Sequence, residues 1–416
     1  ALSLIKDALI RISHKYPDLV AVDKVQNFEV TMLLSKEDWP YHKNTFRYLR
    51  ALLKGNMLWL AFAEPGVGLA GINLTENRLA SVQHVNCDRG TVLHENAKSI
   101  KISGSITGIA DVGNECYISI RDVGLVRFPH NTAKSTEFQS SPRILTGEDG
   151  LPSVSITGMA AVDNKLWIAY GGRGKESGLI IYGPQSGNWE TVFCSSLNGD
   201  DPFSSGQTYA ISSLTSGPKN KLFFLLGERE HDPKINYQLE QYWGLWKINT
   251  DTKQAKHLWH DDQFPLILEN IDDFGQSWWL RDVRSLIRFD PVSETAAFIM
   301  GWSRVLRKAD PMPQLSQDLF VPKKIEYSFT SSGFIIDLRT AVVYQDKLWA
   351  RLGESQLIIL HKGKGFEEAE IIDNNILNGE KVLRFFSTPY GLIAIGEGTA
   401  GLIETQLKKQ DIKEDN

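Results

Sequence analysis

Short apolar runs separated by polar turns recur through most of the 416-residue chain, and they come in pairs. "MLWLAF" at Met57 leads to "GLAGINL" at Gly68, "CYISI" at Cys116 to "GLVRFPH" at Gly124, and "KLWIAY" at Lys165 to "GLIIYGP" at Gly178. Further on, "KLFFLL" at Lys221 leads to "GLWKINT" at Gly244 and "SWWL" at Ser277 to "SLIRFDP" at Ser285. "KLWARL" at Lys347 leads to "QLIILHK" at Gln356, and "GLIAIG" at Gly391 to "GLIETQL" at Gly401. The Leu of the second run stands at 69, 125, 179, 245, 286, 357 and 402, a mean step of about 55 residues.

The second unit shows the underlying pattern: "ITGIADV", "CYISI", "GLVRF" and "TEFQS", separated by "GNE", "RDV" and "PHNTAKS". The turns carry Gly, Asn, Asp and Pro, which supply the backbone angles of tight hairpins. The strands are rich in Ile, Val, Trp, Tyr and Phe, which suit a pleated surface. Several runs are apolar on both faces, as expected of a sheet packed between two others. Repeated four-stranded units of this length predict an all-β chain, a seven-bladed β-propeller of four-stranded blades.

The last unit has room for only three strands before the charged tail "KKQDIKEDN". "NFEVTMLL", Asn27 to Leu34, is a spare strand ahead of the first unit. Adding it to the last unit hides two open edges and closes the ring. Before it, Leu2, Ile5, Leu9 and Ile12 follow helical spacing with Ser3 as a cap. Residues 1–26 therefore read as a helix and lead-in, packed on the ring or belonging to an upstream domain, and 27–416 as one propeller. A polar insert over 303–333, between units five and six, is too long for a blade-to-blade turn. A chain that starts at Ala1 reads as processed, tagged or cut from something longer.

A net charge of −5 gives no electrostatic reason to expect nucleic acid or an anionic membrane as partner. No apolar run is long enough for a transmembrane helix. Cys87, Cys116 and Cys194 are too few and scattered for a zinc site, and an odd count is not a disulfide framework. His257 and His260 in "HLWHDD" would point to opposite faces of a strand, so no metal is expected there. No nucleophile elbow, Walker loop or dinucleotide fingerprint is present, and no cofactor is expected.

In a propeller the turns between second and third strands lie on one end of the ring, where ligands usually bind. Here those turns hold Glu64, Arg121, Asp122, Arg173, Glu176, Glu228, Arg229, Glu230, Arg281, Asp282, Glu354 and Glu397, with Arg351 just before the sixth. The longest, after Gly227, adds Tyr237, Tyr242 and Trp243. Two uses compete for these charges. Arginine forks bind carboxylate or sugar-like ligands, or Arg–Asp pairs staple neighbouring blades. The two "RDV" turns, at Arg121 and Arg281, are expected to be structurally equivalent. The first strands supply mainly hydroxyls, with Arg47, Asp272, Asp337, Arg339 and Arg384 as the charged exceptions. That chemistry favours binding over catalysis. The expected partner is a small polar ligand, a glycan or a protein at the rim; the alternative is a propeller enzyme acting on a carbohydrate or lactone in the central funnel.

"KLWIAYGG" followed by "SGLIIYGP", "SWWLRDVRSLIRFDP", and "GLPS" at Gly150 to Ser153 together resemble the two-component-regulator propeller repeat. The resemblance spans roughly residues 44–407 and is specific in three or four units. It implies an extracytoplasmic sensing region, and hence a periplasmic or secreted location. Members are often joined to a membrane span and a histidine kinase, neither of which this chain contains.

Overall fold

Each repeated pair of apolar runs folds as an antiparallel hairpin, and each hairpin grows into a meander. The computed structural model describes residues 29–38, 48–63, 67–85, 91–93, 99–101, 105–129, 143–172, 175–192, 195–196, 210–227, 244–259, 270–272, 278–281, 285–301, 336–353, 356–362 and 369–404. The first sheet joins Tyr48–Lys54, Met57–Ala63, Val67–Asn73 and Arg78–Val85. The second joins Ile106–Val112, Glu115–Ile120, Gly124–Pro129 and Arg143–Leu145, and the third Ile156–Val162, Lys165–Gly172, Lys175–Gly183 and Asn188–Val192. The fourth contains Ala210–Gly217, Lys221–Gly227, Gly244–Asn249 and Gln254–Trp259, with Ser195–Ser196 added in parallel at its edge. The fifth joins Asn270–Asp272, Trp278–Arg281, Ser285–Asp290 and Thr295–Gly301, and the sixth Ile336–Tyr344, Lys347–Leu352, Gln356–His361 and Glu370–Asp373.

The last sheet takes Arg384–Thr388, Gly391–Ile395 and Ala400–Glu404 from the end of the described chain. Its fourth strand is Glu29–Leu34, which runs antiparallel to Ala400–Glu404 with Val30 opposite Ile403 and Leu34 opposite Ala400. The expected capture of the N-terminal strand is therefore observed. Consecutive sheets pack face to face, and the Glu29–Leu34 strand also touches the first sheet. Together these sheets make a β-propeller.

Both faces of a strand are apolar because each looks at a different neighbour. Leu58, Leu60 and Phe62 pack on Phe386, Ile393 and Ile395 of the last sheet. The intervening Trp59 and Ala61 pack on Ile109, Cys116 and Ile118 of the second. Cys116 is a buried free thiol, and burial raises its pKa, with Asp111 adding to the effect.

The repeated "SITG" has a physical cause. In the second sheet the pairing slips between Ile106 and Gly108, and in the third between Ile156 and Gly158. Each slip is a bulge that turns the first strand toward its neighbour. A Cβ on Gly108 would lie 2.9 Å from Met159 of the third sheet, and one on Gly158 would lie 3.1 Å from Leu214 of the fourth. Glycine here lets adjacent first strands approach across the blade seam.

Turn chemistry repeats too. The first-to-second turns place paired residues in the left-handed region, Asp163 and Asn164, Lys219 and Asn220, Gln345 and Asp346, as the favoured hairpin turns require. In third-to-fourth turns a side chain accepts from two following N–H groups. Asn73 does so from Thr75 and Glu76, Asn249 from Asp251 and Thr252, and Asp290 from Val292 and Ser293.

One expectation changes. The fourth strand of the second sheet is Arg143–Leu145, not "TEFQS", which lies outside the described residues. Ile144 and Leu145 are buried there, and burial of apolar side chains against the sheet selects the later segment. The N-terminal helix and the 303–333 insert lie outside the described residues.

Candidate functional site

The first strands stand around a central cavity of about 260 Å³, lined in part by Arg50, Lys54, Thr107, Asp111, Thr215 and Arg384. Strand register gives the cavity two distinct ends. Lys54 pairs with Met57 beside a first-to-second turn, so it marks one end. There Lys54 Nζ meets Asp111 Oδ1 at 2.5 Å and ties the first sheet to the second. Glu294 makes a similar tie, accepting from Lys221 and Lys247 at 2.7 and 2.6 Å and joining the fourth sheet to the fifth.

The opposite end carries the second-to-third turns and is rich in arginine. Arg50 pairs with Ala61, near the close of the second strand. Arg121 follows Ile120 directly in the turn, and its N–H donates to Ser105 O at 3.1 Å. Arg351 lies opposite Leu357, one residue from the strand end, and its N–H donates to Thr340 Oγ1 at 3.0 Å. Arg384 opens its strand opposite Ile395 and stands 5.3 Å from the Phe386 ring centroid. Burial lowers Arg50 to about 10, with the charges of Arg384 and Arg121 adding to the effect. Burial alone lowers Arg384 to about 10. The charge effects on Arg50 place the Arg384 and Arg121 guanidinium groups near it. The Nε atoms of Arg121 and Arg351 are buried and make no hydrogen bond.

Asp122 does something different from its neighbour. Its backbone is left-handed, its N–H donates to Val154 O at 2.8 Å, and Ser155 Oγ donates to its carboxylate at 2.7 Å. It staples the second sheet to the third. The two "RDV" segments are not equivalent. Phe128 faces Cys116 and Phe289 faces Trp278, so matching "LVRF" to "LIRF" places Arg281 on Ser119. Arg281 ends a strand opposite Leu286, whereas Arg121 sits in the turn. The extra turn residue in the second sheet, Ser119 to Leu125 against Arg281 to Leu286, causes the mismatch.

Glu397 lies part-buried in the turn between the last two described strands and makes no ion pair with a described residue. Glu64, Arg173, Glu228, Arg229, Glu230, Tyr237, Tyr242, Trp243, Asp282 and Glu354 lie outside the described residues. Glu176 falls on the Lys175–Gly183 strand, with its side chain undescribed. His257 stacks on Trp246 with ring centroids 4.4 Å apart. Arg47, the charged residue expected on this first strand, lies outside the described residues, and the register places Arg50, which the sequence reading leaves out, at the cavity. Counting back from the "GN" turn at Gly55 and Asn56 would have found it, because the hairpin fixes Arg50 opposite Ala61.

Among the described residues no helix is long and apolar enough to cross a membrane. No family model and no curated protein matches the sequence. Solved structures similar to this one include the extracellular domain of a putative hybrid two-component system, BT4673, from B. thetaiotaomicron, at 13% identity and a TM-score of 0.47. That match covers 92% of this chain, which spans 40% of the length of the solved chain. Others are YCF48 bound to D1 peptide, at 11% identity, TM-score 0.47, covering 92% and 97% of the two chains, and the Cps50 (Swd1) β-propeller domain of Myceliophteria thermophila, at 10% identity, TM-score 0.48, covering 91% and 100%.

Proposed function

We propose that residues 27–416 form one seven-bladed propeller that works as a non-enzymatic binding module. Its ligand or partner would meet the end carrying the second-to-third turns. The observation that carries this reading is that Arg50, Arg121, Arg351 and Arg384 all stand at that end of the ring, with Arg50 and Arg384 lining the cavity. Guanidinium groups keep their proton at neutral pH, so they hold and orient a ligand rather than shuttle protons. The opposite end is occupied by the Lys54–Asp111 pair, which serves the sheet seam.

A small polar ligand, a glycan or a protein segment fits this description. The resemblance to two-component-regulator repeats supports a sensing role outside the cytoplasm. A thermal-shift screen of small acids, sugars and oligosaccharides, with a peptide array as second arm, tests the reading. Hits should weaken in Arg121→Ala and Glu397→Ala without loss of fold. Hits that ignore both changes, or turnover of any bound compound, would overturn it.

A further inference from the structure

Resting on that reading, we propose that Arg351, Arg384, Arg50 and Arg121 form an arc that binds the oxyanion of a small ligand, a carboxylate or a phosphate group. The arc is a consequence of ring closure. Arg351 belongs to the sixth sheet, Arg384 to the last, Arg50 to the first and Arg121 to the second. These four sheets are consecutive because the last packs on the first. Register places every one of these arginines at the same end.

Two observations point to an anionic ligand at this end. The Nε donors of Arg121 and Arg351 are removed from water and make no hydrogen bond. A buried, charged donor without an acceptor is costly, and a native site rarely keeps one without use. Arg50, meanwhile, feels the positive charge of both Arg384 and Arg121, which puts the three guanidinium groups near one another. A guanidinium presents its N–H groups as a planar fork that matches carboxylate and phosphate oxygens in pairs.

Asp122 accepts from Ser155 at the seam, and Glu397 makes no ion pair with a described residue. Asp272 and Asp337 take register positions on the fifth and sixth sheets, opposite Trp279 and Arg351. A cavity of about 260 Å³ is below the usual span for drug-sized ligands, roughly 300–1,000 Å³, which favours a small acid or one acidic end of a longer molecule.

Isothermal titration of the full chain at low ionic strength, with citrate, inorganic phosphate and sucrose as probes, tests this. Citrate or phosphate should bind at one site per chain, sucrose should not, and added sodium chloride should weaken the binding. Preference between the two anions identifies the carboxylate or the phosphate as the group recognised. Arg121→Gln and Arg351→Gln, each checked for a native melt, should weaken binding about tenfold. Should either unfold, Arg121→Lys and Arg351→Lys keep the charge and lose the fork, and a smaller but clear loss is expected. Heats no larger than those of sucrose would overturn the anion site. So would binding unchanged in both variants, which would mean an adventitious ion only. If the anions fail while a neutral compound binds and is lost in Arg121→Ala, the anion inference falls and the binding reading stands.

Discussion

Gly108→Ala should destabilise the propeller, and the equivalent Gly158→Ala should not. Neither glycine has a left-handed backbone, so the outcome turns on space alone. At Gly108 the new methyl would lie 2.9 Å from the backbone N and the Cβ of Met159, and 2.9 Å from Ser119 Oγ. The backbone atom cannot rotate away, and the contact is roughly half an ångström inside ordinary van der Waals distance. Relief requires the second and third sheets to part along their first strands, where Ile109 and Met159 are buried. Overpacking of this kind costs about 1–3 kcal/mol. Against it stands a gain of about 0.4–1 kcal/mol from a less flexible unfolded chain. The net loss should be about 1–2 kcal/mol. At Gly158 the nearest atoms, Leu214 Cβ and N, lie at 3.1 and 3.2 Å, and small shifts suffice. There the two terms should cancel to within about 0.5 kcal/mol. Equilibrium unfolding in guanidinium, followed by tryptophan fluorescence, measures both through the midpoint at constant slope. A Gly108→Ala protein as stable as the parent, or a Gly158→Ala protein less stable than Gly108→Ala, would refute the close-approach account of the bulges.

Leu34→Ala should cost about 2–5 kcal/mol, since Leu34 is 1% exposed between the first and last sheets; a melting temperature matching the parent would show that the closing strand is dispensable. Asn249→Ala removes the acceptor for two N–H groups and should cost about 1–2 kcal/mol, read by the same denaturation curves. For Glu294, burial raises the pKa but the hydrogen bonds of Lys221 and Lys247 outweigh it, so the folded value lies below the usual 4.5. Its contribution is present above the unfolded value and is lost as pH falls through the folded one. The stability gap between parent and Glu294→Gln should therefore be open at neutral pH and narrow as pH falls below the ordinary glutamate value. A gap constant down to pH 3 would show that the charge is not what holds the fourth sheet to the fifth.

Much of the fold was legible because its signals are local. Doubly apolar runs such as "KLWIAY" name strands that touch two neighbours, and Leu166 and Trp167 do so, packing in separate clusters. The spare strand at Asn27–Leu34 was legible from the shortfall of the last unit, and its pairing with Ala400–Glu404 follows from edge chemistry. What misled was similarity without register. "TEFQS" follows its turn at the right distance, yet "RIL" supplies the buried side chains that a fourth strand needs. The sequence cannot show this directly, since the choice depends on what the neighbouring sheet presents to that edge.

The site was half legible for the same reason. Turn residues can be found from sequence, so Arg121 and Arg351 were candidates at once. Their company could not be found without register. Two identical "RDV" strings promise two equivalent arginines, but one added turn residue puts Arg121 on the rim and Arg281 within a strand. Arg50 makes the opposite point. It lies inside "YLRALLK", where a charged residue reads as solvent-facing, and only the pairing with Ala61 brings it to the end of the cavity. Arg384 looked isolated on its strand, yet ring closure makes it the neighbour of Arg50 across 334 positions of sequence. Charges that repel each other come together only if the fold forces them to or if something else is present to share. The hydrophobic seams supply the force, with Phe386 packed into the first sheet directly behind Arg384. A chain free to choose would place an apolar residue at such a position, and four consecutive sheets placing arginine there is the reason to look for an anion.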